Sequence, residues 1–182
     1  MKKIFLSLFL LLILKIAEAQ LSTNILKTDL NENGVVDIIK PLEDKFEIFL
    51  DNKKFFIPFR LLGFSSLEGI SFTKKIFTIE SGFEGTGMYN SIYKFRNNSK
   101  TKKMELIGYE YGYKWVTGNF HKSYNALTGN YEIILSEYNE KKDKFDEKKF
   151  NGIKAIEKIN LNDITENKLK SLFKIGSEYE PK

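Results

Sequence analysis

The sequence predicts a mainly β protein built from antiparallel sheets, arranged as a sandwich, a barrel or part of a propeller, with a short helix near the C-terminal end. Two observations predict this fold class. Apolar residues alternate with polar ones in short runs separated by polar turns, which is the period of half-buried strands. The chain also contains 16 Phe and 9 Tyr residues, which suit pleated surfaces better than helices.

Two hairpins are predicted in the first half of the chain. Residues 46–50 and 55–59 both alternate between apolar and polar side chains, and a polar break separates them. Pro58 cannot donate a hydrogen bond to a ladder, so we expect its strand to lie at an edge or to end there. Residues 70–72 and 76–79 form the second predicted hairpin.

The second half of the chain continues the β pattern. Residues 89–95, 104–115 and 131–138 are predicted strands, and residues 150–161 are the last one. Residues 139–149 are highly charged and are predicted to form a solvated hairpin loop.

A short C-terminal helix is predicted from its starting signal. Asp163-Ile164-Thr165-Glu166 has the spacing of a capping box, which favours a helix that runs through Phe173.

Residues 81–87 are the glycine-rich segment of the chain. They have neither the Lys-Ser/Thr ending nor the GxGxxG spacing of a phosphate-binding loop. We therefore expect a long surface connection.

The first 19 residues have the three parts of a secretory signal peptide. Residues 1–3 are basic, residues 4–14 are almost entirely apolar, and Ala17-Glu18-Ala19 provides small residues for cleavage. The apolar stretch is shorter than the roughly 20 residues that cross a bilayer. We therefore expect cleavage near Ala19, export to the periplasm or the exterior, no membrane span after cleavage, and one β-rich domain over residues 20–182.

The composition excludes several kinds of catalysis, cross-link and partner. The chain has no Cys, which excludes thiol catalysis, thiolate metal sites and disulfides, so an exported domain must be held together by packing. Without the leader, the formal charge of +5 falls to about +3. The lysine pairs are scattered over predicted turns, so nucleic acid is not an expected partner.

Residues 29–37 have the spacing of a calcium loop. Oxygen-bearing side chains occupy the first, third, fifth and ninth positions, and Gly34 at the sixth permits the positive φ that turns the chain over an ion. The backbone carbonyl of Val35 would add a further oxygen ligand. The side-chain ligands of this loop would be Asp29, Asn31, Asn33 and Asp37.

The surroundings of the loop distinguish its type. An EF-hand requires Glu at the twelfth position, where this chain has Lys40. Apolar pairs at residues 25–26 and 38–39 predict strand, loop, strand. The segment therefore resembles the calcium loop of FG-GAP or VCBS-type repeats, in a single copy, and the resemblance implies calcium as a structural cofactor. The alternative is a plain hairpin with a type I′ turn at Asn33-Gly34.

A second resemblance covers about half of the chain. The order of the calcium loop, Leu106-Ile107-Gly108 and Asn125-Ala126-Leu127-Thr128-Gly129 is similar to that of uncharacterised exported bacterial proteins. This likeness implies no activity.

Four aromatic residues recur at every second position of one predicted strand. If the strand is regular, their rings project from one face, where they would either bind a glycan or protein ligand or form part of the core. They are Tyr109, Tyr111, Tyr113 and Trp115.

The sequence contains no specific catalytic motif. His121 is the single histidine, and no Gly-x-Ser-x-Gly elbow accompanies it. A glycosidase needs two carboxylates, for which Glu80, Glu84, Glu105 and Glu110 are candidates. The sequence thus favours an exported non-catalytic β module with a structural calcium loop that binds a glycan or a protein. The alternative is a secreted hydrolase that acts on glycans through two carboxylates.

Overall fold

The computed structural model describes residues 25–63, 67–83 and 89–181, and the predicted signal peptide lies outside these ranges. The described residues form eleven strands in two antiparallel sheets and one short α-helix. The predicted fold class is confirmed. Neither sheet closes on itself in the described part of the chain, so the barrel alternative is wrong. No helix among the described residues is long and apolar enough to cross a membrane.

The smaller sheet has four strands in sequential order: β1 (Leu26–Thr28), β2 (Asp37–Pro41), β3 (Lys45–Leu50) and β4 (Lys53–Pro58). Strands β3 and β4 form the first predicted hairpin. Its turn consists of Asp51 and Asn52, with φ values of 54° and 58°, the signature of a type I′ turn. Pro58 ends β4, which is an edge strand, as predicted.

The larger sheet has seven strands, each paired with its neighbours in sequence: β5 (Gly69–Thr73), β6 (Ile76–Phe83), β7 (Tyr89–Asn98), β8 (Lys103–Trp115), β9 (Gly118–Asn125), β10 (Asn130–Asn139) and β11 (Lys144–Ile153). Strands β5 and β6 confirm the second predicted hairpin. A bulge interrupts the pairing of β7 with β8 between Lys94 and Phe95.

The glycine-rich segment is partly a strand. Ser81 and Gly82 pair with Ser91 and Asn90, so the ladder of β6 and β7 extends beyond the point where the sequence predicts a loop. Residues 84–87 of this segment lie outside the described residues.

Two predictions about the end of the sheet are wrong. The charged segment is a loop only as far as Asp143, because β11 pairs with β10 along its whole length. An edge strand can carry many lysines and glutamates, since its side chains stay in solvent while the backbone completes the ladder. The chain then leaves the sheet after Ile153 instead of continuing to residue 161, and Asn160 makes an isolated bridge to Glu105.

Among the described residues, one large hydrophobic cluster joins both sheets and the helix. Phe46 and Ile48 from the smaller sheet, Phe77 and Tyr93 from the larger one, and Leu172 are fully buried members of one cluster. Two packed sheets with a shared core agree with the sandwich alternative.

The predicted helix is α1 (Glu166–Phe173), which buries Leu169 and Leu172. Its N-cap is Thr165, whose hydroxyl accepts a hydrogen bond from the backbone N–H of Lys168 at 3.4 Å. Asp163, which the capping-box pattern places at the start, instead lies in a 3-10 turn (Leu161–Asp163) and pairs with the Lys168 ammonium at 2.8 Å.

Candidate metal-binding loop and aromatic strand

The segment from Asp29 to Asp37 connects β1 to β2, which is the predicted strand, loop, strand arrangement. The Asp29 carboxylate organises the turn: Oδ1 accepts the N–H of Asn33 at 3.0 Å, and Oδ2 accepts the N–H of Gly34 at 2.8 Å. Gly34 has a φ of 85°, as the pattern requires. Each Asp29 oxygen keeps a second lone pair for another partner.

Asp37 closes the loop from its far end. Its Oδ2 accepts the N–H of Leu30 at 2.9 Å, and Leu30 is itself buried in the core. Asp37 is only 1% exposed. Burial raises the pKa of this carboxyl group, against the opposing effect of the N–H donors of Leu30 and Asp51, and the negative charge of Asp51 raises it further.

Asp51 is a further acidic residue at this site, which sequence reasoning missed. The side-chain amides of Asn31 and Asn33 both donate to its Oδ1. Its own N–H donates to Oδ1 of Asp37 at 3.2 Å. The strand register is what indicates Asp51. Ile38 lies opposite Phe49, so the end of β3 lies beside the end of the loop.

A buried side-chain oxygen of the loop has no hydrogen-bond partner. Asn31 is 1% exposed, and its Oδ1 is buried with no hydrogen-bond partner. The Asn31 side chain turns its NH₂ group, and not its oxygen, towards Asp51. Amide and carboxylate oxygens are ligands that a hard cation such as calcium accepts, so the residue types of the loop fit that ion.

A metal site at this loop would require amide and backbone oxygens as ligands as well as carboxylates. Among the described residues, no group of three or more His, Cys, Asp or Glu side chains is arranged to hold a metal. Val35, the predicted backbone ligand, donates its N–H to Oδ1 of Asn33 at 2.7 Å.

The four aromatic residues of β8 divide into core and surface. Tyr109 is 3% exposed, and its ring lies 4.9 Å from that of Tyr93 and 5.9 Å from that of Phe173. Burial raises the pKa of Tyr109 well above its ordinary value. Tyr111, Tyr113 and Trp115 are only half-buried. The core alternative is therefore confirmed for Tyr109, and ligand binding by the other three rings stays a prediction.

The half-buried rings form a continuous row. The ring of Tyr113 lies 5.9 Å from that of Tyr111 and 5.5 Å from that of Trp115, and it stacks on Phe120 at 5.4 Å. The indole of Trp115 covers Gly118, where a Cβ would lie 2.3 Å from the ring. The row thus leads from the core to the end of the larger sheet.

Of the candidate catalytic groups that the structure describes, it brings only two together, His121 and Glu110. His121 lies within β9, and its Nε2 is 4.0 Å from Oε2 of Glu110, which also pairs with Lys94. Ile92 of β7 lies opposite Glu80 on one side and opposite Glu110 on the other. Glu80 and Glu110 therefore lie on the same face of the sheet, with one strand between them.

Glu105 has a structural environment. It is 8% exposed, and its carboxylate accepts hydrogen bonds from Asn98 at 2.9 Å and from Thr101 at 3.1 Å. Glu84, the fourth candidate, lies outside the described residues.

No family model matches this chain, and searches of curated proteins and of solved structures found no similar protein.

Proposed function

We propose that this chain is an exported, non-catalytic β module that binds one structural calcium ion in the loop of residues 29–37 and a glycan or protein ligand on its aromatic strand. The observation that carries the metal proposal is the convergence of the Asn31 and Asn33 amides on Asp51 beside a buried, unsatisfied Asn31 oxygen.

The residues that would hold the ion come from two hairpins. Asp29, Asn31, Asn33, the Val35 carbonyl and Asp37 follow the loop pattern, and Asp51 joins them from the turn between β3 and β4. The cation would offset the repulsion between the Asp37 and Asp51 carboxylates and join the two hairpins.

Few carboxylates favour a modest affinity, with a Kd on the order of 10⁻⁴ to 10⁻³ M, as in extracellular modules. Calcium at ten times its Kd would stabilise the fold by about 1.4 kcal/mol. That affinity suits the periplasm or the exterior, where the predicted signal peptide would direct the chain.

The half-buried rings of Tyr111, Tyr113 and Trp115 support the ligand-binding part of the proposal. Aromatic rings that keep part of their surface in solvent can stack on sugar rings or pack against a peptide. Of the carboxylates suggested for hydrolysis, Glu105 is engaged in structural hydrogen bonds and Glu110 in an ion pair, which favours a non-catalytic role.

The metal proposal is tested by thermal unfolding in EDTA and in millimolar calcium, with magnesium as the control ion. We expect calcium to raise the unfolding midpoint by several degrees and magnesium to have little effect. Equal midpoints in EDTA and calcium would contradict the proposal.

The ligand proposal is tested on a glycan array with the protein and its Trp115→Ala variant. We expect binding that this substitution removes, with no hydrolysis products. Product release that a single Glu→Gln substitution abolishes would establish the hydrolase alternative instead.

A further inference from the structure

Lys122 is a buried cation at a position where strand alternation predicts an apolar residue. It lies between Phe120 and Tyr124 on the inward face of β9 and is 1% exposed. A lysine in this setting is costly unless its ammonium group finds partners. Burial lowers the pKa of Lys122, and the neighbouring Glu180 carboxylate opposes that effect.

The partners of Lys122 come from the C-terminal segment. Its Nζ donates to the carbonyl of Phe173, at the end of α1, at 3.0 Å, and to Oε1 of Glu180 at 3.2 Å. It also lies 5.6 Å from the centre of the Tyr111 ring.

A cavity of about 290 Å³ adjoins this ammonium group. Its volume is close to the lower limit of small-ligand pockets, roughly 300 Å³. Its lining includes aromatic rings, hydroxyl groups and the ion pair, among them Ser91, Tyr109, Tyr111, Lys122, Phe173 and Glu180.

The C-terminal segment that supplies Glu180 packs over the inward face of the sheet. It forms a 3-10 turn (Ser177–Tyr179), and the ring of Tyr179 stacks on Phe150 at 4.2 Å. The Glu180 side chain remains 32% exposed, so one side of its carboxylate faces solvent.

We propose that this cavity is a subsite for the carboxylate of an acidic sugar, a uronate unit of a glycan, with Lys122 as its cationic partner and Glu180 as an internal competitor. This inference rests on the proposed glycan binding by the aromatic strand. The position of Glu180 shows that a carboxylate fits beside Lys122.

The aromatic row would bind the rest of the ligand. Tyr111 borders the cavity, and Tyr113 and Trp115 continue the row outwards at ring separations of 5.9 and 5.5 Å. A glycan whose uronate unit occupied the cavity would therefore place its next units over these rings. A neutral sugar could not replace the charge of Glu180 beside a buried ammonium group.

The experiment measures binding of oligogalacturonate and of a neutral galactose oligomer of equal length, by calorimetry and by the fluorescence of Trp115, the single tryptophan. We expect the uronate to bind at least tenfold more tightly than the neutral oligomer, the difference expected for a charged hydrogen bond. Glu180→Gln should tighten uronate binding several-fold because it removes the competing charge. Glu178→Gln is the matched control, since it removes the same charge from the same 3-10 turn region without a hydrogen bond to Lys122.

Lys122→Met should abolish the preference for the uronate, and circular dichroism would establish that the variant is folded. If it does not fold, the comparison of Glu180→Gln with Glu178→Gln still decides the matter. Equal binding of both oligomers through Trp115 would overturn the uronate subsite and leave the proposed glycan binding intact. Absence of binding by either oligomer would count against the uronate subsite and against glycan binding by the aromatic strand. Binding of a peptide α-carboxylate alone would replace the acidic sugar with a peptide ligand.

Discussion

The backbone N–H of Asp51 donates to Oδ1 of Asp37 at 3.2 Å, which joins the turn between β3 and β4 to the first residue of β2. The other oxygen of Asp37 holds Leu30 at the start of the loop. A single buried carboxylate thus connects the loop, its following strand and a turn 14 residues further along the chain.

Asp51→Asn should weaken calcium binding roughly tenfold, because the number of charged ligands sets the affinity of such loops. Asn tolerates the left-handed conformation of this position, where φ is 54°, so the turn should persist. Calcium titration by calorimetry measures the effect. Asp44→Asn, at a carboxylate that is 75% exposed, is the control and should bind calcium normally. Unchanged affinity in Asp51→Asn would remove this residue from the site.

Gly118→Ala should displace the indole of Trp115. The added Cβ would lie 2.3 Å from the ring and 2.5 Å from the backbone oxygen of Ser136, so both must move. We expect a loss of about 1–3 kcal/mol in unfolding free energy and a red shift of tryptophan emission. Gly69→Ala is the control, because its Cβ would meet nothing within 4 Å. An unshifted emission spectrum would mean that Trp115 does not cover Gly118.

Tyr109→Ala should destabilise the fold far more than Trp115→Ala. Removal of the fully buried Tyr109 ring should cost about 3–5 kcal/mol, whereas the half-buried Trp115 should cost about 1–2 kcal/mol. Urea unfolding followed by circular dichroism measures both. Similar costs for the two variants would show that the whole aromatic row belongs to the core.

The Glu105 carboxylate should contribute stability that depends on pH. Burial raises its pKa, but hydrogen bonds from Asn98, Thr101 and Lys158 outweigh burial, and the net shift is below the ordinary value of 4.5. A lowered pKa means that the stabilisation is fully present above pH 4.5 and is lost as the pH falls through the folded-state pKa.

Glu105→Gln should therefore lower the unfolding free energy by about 1–3 kcal/mol at neutral pH, and its difference from the unchanged protein should shrink as the pH falls below 4.5. Urea unfolding across this range measures the difference. The control is Glu140→Gln, whose exposed side chain lies in the turn between β10 and β11 and should matter little at any pH. A difference that stays constant down to acid pH would exclude this role for Glu105.

Much of the strand pattern could be predicted because one face of each hairpin is buried. The alternation around Phe46 and Ile48 required one register, since a shift by one residue would have turned both side chains towards solvent. The charged residues of β11 carried no such information. Their strand depends on backbone pairing with β10, and that pairing is a property of two segments together.

The sequence by itself determined the antiparallel β class, the loop from Asp29 to Asp37 and the common face of the four aromatic residues of β8, because each depends on local spacing and turn chemistry. Only the tertiary structure decided that Asp51 joins the loop, that Tyr109 lies in the core while Trp115 remains at its edge, and that Lys122 meets Glu180. These relationships join residues far apart in the chain, and their partners are set by strand register and by the packing of the C-terminal segment. Neither the strand register nor this packing can be predicted from the spacing of residues along the sequence.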